Sequence, residues 1–146
     1  MNDRARRFWA KTALHVWPER YWLVSLPPAL LAEAAGLVAQ SAGAFAALVL
    51  ERHEVSLTIE QGLWETNGLQ ARARGQQGPF RAITLDVNVD LDVCGYLAPA
   101  AARLAEAGIS IVPQCAYLKD HLLLHEKHLE GAVRVLEDFI RSSGNP

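Results

Sequence analysis

Between Asp86 and Asp92, every second residue carries a side-chain oxygen: Asp86, Asn88, Asp90 and Asp92 alternate with Val87, Val89 and Leu91. The run imitates the start of a calcium-binding EF-hand loop. It fails at the decisive places, because Leu91 takes the position of the turn glycine and Leu97 that of the bidentate glutamate. His121 and His125 share a strand face at a separation of about 13 Å, too far for one ion, so with His128, His15 and His53 they read as surface or edge histidines. Ser25, Ser56 and Ser110 sit in apolar runs without a nucleophile elbow. No glycine-rich phosphate cradle occurs. Cys94, placed ahead of a helix, is the one candidate nucleophile, and no histidine is set beside it by the sequence.

A different chemistry fits the loop Asn88–Gly95. A helix start offers unpaired N–H groups and a partial positive charge, suited to a carboxylate, and Gly95 lets a ligand approach the backbone there. Asp90, Asp92 or Asp120 can accept an ammonium or guanidinium through charge-assisted bonds. The plain alternative is that Asp90 or Asp92 only caps the helix and Gly95 only permits close packing.

The elements that must position this loop follow from periodicity. Phe80–Val87 alternates apolar and polar residues as a strand, and Gly95 to Gly108 is a helix with Leu97, Ala101, Leu104 and Ala105 on one stripe. Gly108 suits the left-handed turn that ends it. Ile109–Leu118 and His121–His125 read as two further strands, and Leu129–Ile140 as a second amphipathic helix. Strand, helix, strand, strand, helix is most of a βαββαβ unit, an α+β sandwich. Pro113 cannot donate to a ladder, which suits an edge strand, and the second strand of such a sheet is an edge.

The first half repeats this order imperfectly. Tyr21–Leu26 is a strand, Pro27-Pro28 turns the chain into a helix over Ala29–Gln40, and Ala44–Leu50 and Glu54–Ile59 are two strands. Asn2–Trp17 reads as a surface helix stopped by Pro18, or as a basic arm through Arg4, Arg6, Arg7 and Lys11. Gly62–Pro79 has the weakest pattern, with Leu63 and Trp64 able to pack and Leu69–Gly78 reading as a mobile connection. The expected organisation is an N-terminal helix or arm over 1–17, a first unit over 18–68, a linker over 69–79 and a second unit over 80–142.

With 51% hydrophobic residues among 146, either one large or two small cores can be built without disulfides. A formal charge of −2 and a pI near 6.2 give no footprint for nucleic acid. No apolar run approaches the ~20 residues that span a bilayer, and the beginning lacks a secretory signal pattern. Two cysteines make no disulfide framework, so reduced thiols in a cytoplasmic protein are expected.

Phe80–Asp86, Gly95–Ala98, Leu104–Ile111, Ala116-Tyr117 and Asp120–Leu124 together resemble an ACT domain. The resemblance is closest to the tandem ACT proteins of the CASTOR-like group, which includes cytosolic arginine sensors, and Glu54–Thr58 looks like a strand of that group's first unit. It implies two ferredoxin-like ACT units packed side by side, an amino acid bound between units, and regulation rather than catalysis. It places a ligand loop on Asp92, Val93, Cys94 and Gly95, and a second contact segment on Ala116, Tyr117 and Asp120. Members of the group carry four units where two fit here, so a homodimer is expected to complete a site. An amino-acid ligand, no cofactor or metal, and a separate regulated protein complete the expectation. The rivals are an assembly module that dimerises through its sheet without a metabolite, and an enzyme using Cys94.

Overall fold

A computed structural model of the chain describes residues 1–144. In chain order the elements are α1 (Asp3–Trp9), β1 (Ala13–Val16), β2 (Tyr21–Leu26), α2 (Leu31–Ala39), β3 (Ala47–Leu50), β4 (Val55–Glu60), α3 (Gln61–Glu65), β5 (Gly75–Asp86), α4 (Leu97–Glu106), β6 (Val112–Cys115), β7 (Asp120–His125) and α5 (Leu129–Gly144). They gather into two compact units, one of Trp17–Ala82 and one of Met1–Val16 with the chain from Ile83 onward.

The unit of residues 17–82 is a complete βαββαβ fold whose strands stand in the order β3-β4-β2-β5, with antiparallel pairing of β3 to β4, β4 to β2 and β2 to β5. Alternation in Val55-Ser56-Leu57-Thr58-Ile59 sends Val55, Leu57 and Ile59 into a core with Val24, Leu26, Leu30, Ala34 and Trp64. Residues 75–79 were expected to be linker, ahead of the strand expected from Phe80. They form a strand because backbone pairing to Tyr21–Ser25 does not need apolar side chains. The register shifts between Tyr21 and Leu23, and Gly78 lies at that irregularity. A Cβ on Gly78 meets the Tyr21 carbonyl oxygen and the Trp22 ring at 3.0 Å, so the close approach leaves a side chain little room.

The second unit takes its strands in the order β1-β5-β7-β6. β6 is the edge, as Pro113 foretold. The fourth strand comes from the amino terminus: Ala13, Leu14, His15 and Val16 pair antiparallel with Asp86, Leu85, Thr84 and Ile83. Residues 1–17 are therefore neither one helix nor an arm. The helix ends at Trp9 and the following turn leads into a strand whose partner lies far along the chain. α5 lays Ala132, Leu136 and Phe139 against Ile83, Leu85, Leu104, Leu122 and Leu124. Trp9 is fully buried in this core, stacked on Tyr96 and 4.8 Å from the Phe139 ring centroid. An aromatic side chain of this size buries roughly 150–250 Å², so α1 is anchored.

Gly108 (φ +72°) closes α4 as its position predicted. Its N–H reaches the Ala105 carbonyl at 2.9 Å and that of Ile109 the Leu104 carbonyl at 2.8 Å, satisfying the last turn. Among the described residues no helix is long and apolar enough to cross a membrane.

Candidate functional site

The loop between β5 and α4 lies beside the turn between β6 and β7. Val89 N–H donates to the Leu118 carbonyl at 3.2 Å, while the turn is closed by Ala116 N–H on the Lys119 carbonyl at 3.0 Å. Gly95, at φ +79°, then swings the chain into α4. Tyr96 occupies the N-cap position with helical torsions, and no side chain caps the helix. Pro99 stands in the first turn, where the missing N–H costs nothing.

These two segments enclose an open cleft of 340 Å³. One wall carries Val89, Leu91, Val93 and Gly95 and runs on to Leu97 and Ala98 at the start of α4. The other carries Cys115, Ala116, Tyr117, Leu118, Lys119 and Asp120. A neighbouring hollow of 330 Å³ shares Asp90, Leu91, Tyr117 and Leu118 and adds Asp92.

The expected site residues divide accordingly. Val93, Gly95, Ala116, Tyr117 and Asp120 meet in the cleft. Asp92 lies in the adjoining hollow. Cys94 lines neither, and its carbonyl accepts a bond from the Asn2 side-chain amide at 2.9 Å.

Neither Asp90 nor Asp92 caps α4, contrary to expectation. Both are held by Arg4. One guanidinium nitrogen donates to Asp92 Oδ2 at 2.9 Å, and the other to Asp92 Oδ1 at 2.9 Å and Asp90 Oδ2 at 3.0 Å. A planar fork meeting a carboxylate in two parallel bonds is among the stronger charge-assisted pairings. The Arg4 hydrogen bond holds the Asp92 carboxyl below its ordinary value. Arg4 is placed by α1, whose own N-cap is Asn2, its side-chain oxygen accepting from Ala5 N–H at 2.8 Å.

Further groups fix the walls. Trp9 Nε1 donates to the Tyr96 carbonyl at 2.7 Å, and Thr12 Oγ1 lies 2.8 Å from the Tyr96 hydroxyl. Burial pushes that hydroxyl up to about 12. Lys119 is ion-paired with Asp86. The Asp120 carboxylate beside Cys115 pushes its thiol up to about 11, leaving little thiolate at neutral pH. His121 Nδ1 lies 2.8 Å from Thr84 Oγ1, and half-burial pulls its pKa down. Among the described residues no group of three or more His, Cys, Asp or Glu side chains is placed to hold a metal ion. Both thiols are free and exposed.

Sequence reasoning missed Arg4, Asn2, Trp9, Thr12, Tyr96 and Lys119 as determinants of this site. The only signal was a basic amino terminus, with Arg4, Arg6, Arg7 and Lys11 close together.

A family model described as the ACT domain matches residues 77–138. The fold is the ferredoxin-like fold of ACT domains. Among solved structures, a Vibrio cholerae protein of unknown function described as a possible transport protein is 23% identical, with a TM-score of 0.72 over 94% of this chain and 96% of that one. A structure of aspartokinase alpha and beta subunits is 21% identical, with a TM-score of 0.69 over 96% and 99%. The ligand-free regulatory subunit of aspartate kinase from Thermus thermophilus is 14% identical, with a TM-score of 0.60 over 88% and 96%. No curated protein matches the chain.

Proposed function

We propose that this chain is a non-catalytic regulatory module that takes an amino acid in the cleft between the loop before α4 and the β6–β7 turn. The observation that carries the reading is a single hollow lined both by the start of a helix without a side-chain cap, at Leu97 and Ala98, and by Asp120. A helix start favours the ligand's carboxylate and Asp120 its ammonium, so a zwitterion has a group for each end. The ACT match, and the likeness in fold to aspartate kinase regulatory subunits, support the same reading.

A homodimer belongs to the proposal. Leu91, Tyr117 and Leu118 are 74%, 77% and 51% exposed at the open mouth of the cleft, close to the edge strand β6. A second copy seated there covers the ligand. Closure around it then favours one arrangement, with coupling of about 1–3 kcal/mol, passed to a separate regulated protein in the cytoplasm.

Thermal-shift measurements against the common amino acids test this. A saturable rise in melting temperature with one of them, lost in Asp120→Asn, supports it. No rise with any of them removes it. The same exposed patch favours a second reading, an assembly module without a metabolite, for which sedimentation shows a dimer whose stability no amino acid changes.

A further inference from the structure

The cleft offers a ligand side chain an uneven set of partners. Of the two acids in its lining, Asp90 already holds Arg4, as does Asp92 in the adjoining hollow. The other, Asp120, is the group that the proposed function gives to the ligand's ammonium. Lys119 is a cation already paired with Asp86. The rest of the lining carries no formal charge and is mostly apolar, with Val89, Leu91, Val93, Leu97 and Leu118 among it. A charge placed there finds no opposite charge and gives up part of its hydration.

We propose that Arg4 is a specificity-determining residue, a tethered cation that occupies Asp90 and Asp92 and so restricts the cleft to amino acids with apolar side chains. The inference rests on the proposed function and gives it a ligand class. Its physical basis is intramolecular competition. Arg4 stands on a helix fixed by Trp9 in the core, by the Asn2 contact to the Cys94 carbonyl and by the Trp9 bond to the Tyr96 carbonyl. Even a flexible short tether presents its group at an effective concentration on the order of millimolar. Free arginine or lysine must displace a guanidinium that is always present and already oriented, which weakens its apparent affinity by roughly a few-fold, the worth of an exposed ion pair. Salt does not remove the competition selectively, because an external cation meets the same screening.

The test is calorimetric binding to the full chain of leucine, isoleucine, valine, methionine, phenylalanine, lysine and arginine. It is run on the native protein, on Arg4→Ala, on Arg4→Lys and on Arg4→Ala combined with Asp90→Asn and Asp92→Asn. The expected result is that an apolar member binds the native chain at least about tenfold more tightly than lysine or arginine. Arg4→Ala then gains roughly a few-fold in affinity for a basic amino acid, Arg4→Lys gains less, and the triple variant gains nothing. Preferred binding of a basic amino acid by the native chain, or an unchanged preference in a folded Arg4→Ala, overturns the role of Arg4 and leaves the cleft standing. Absence of binding by every ligand to every variant overturns both.

Discussion

Trp9 and Tyr96 lie ring on ring, 4.7 Å between centroids and 18° between planes, while the indole N–H of the first donates to the carbonyl of the second. The pair ties α1 to the residue that begins α4. Trp9→Ala is expected to cost about 3–5 kcal/mol, and Trp9→Phe less, chiefly the ~1–3 kcal/mol of a buried carbonyl left without its donor. Denaturant titration followed by circular dichroism checks both values, and near-wild-type stability for Trp9→Ala would return the amino terminus to the status of an arm.

Two glycines separate two kinds of backbone demand. At Gly95 a Cβ meets nothing within 4 Å, so Gly95→Ala is expected to cost only the ~1–2 kcal/mol of a left-handed residue. It should also weaken ligand binding, because the left-handed strain falls on a residue of the cleft's own wall. Gly78→Ala brings its Cβ within 3.0 Å of backbone and an aromatic ring, and is expected to be the more destabilising of the two. Melting temperatures of the two variants set side by side decide the order.

His121 carries a pH dependence with a definite sign. Burial lowers its pKa from 6.5, partly opposed by Asp120 and aided by Lys119, so the unfolded chain binds the proton more readily than the folded one. Stability contributed by the neutral ring is complete above 6.5 and is lost as pH falls below it. Asp86 and Asp92, both held below 3.8, lose theirs only at more acidic pH. Melting temperature should therefore decline in a first step just below pH 6.5, and His121→Asn should flatten that step alone.

Cys115 should alkylate slowly at neutral pH, since the adjacent Asp120 carboxylate disfavours the thiolate. Asp120→Asn is expected to accelerate its reaction with iodoacetamide severalfold, read by mass spectrometry of the labelled peptide. An unaltered rate would place the carboxylate away from the sulfur.

What the sequence conveyed depended on how local each cause was. Val55–Ile59 announced a half-buried strand through alternation, Gly108 a helix end through its conformational freedom, and Pro113 a sheet edge through its missing donor. Ala13–Val16 gave no such notice: four residues of mixed character become a strand only because Ile83–Asp86 needs a neighbour. Gly75-Gln76-Gln77 pairs through main-chain groups that composition does not reveal. In the site, the loop and the turn were found, but the partner of Asp92 was not, because Arg4 lies 88 positions away and its charge suited a solvated surface equally well.

Because β1 closes its sheet against residues 83–86, the order in which this protein is made differs from the order in which it can be completed. Residues 13–16 leave the ribosome well before their partner strand exists, whereas 17–82 emerge with every strand of their own fold in hand. Segments generally fold as they appear, and distant pairings wait on loop closure. The first helix and strand therefore wait for residues 83–86, so this sheet is completed only after the whole of 17–82 has been made.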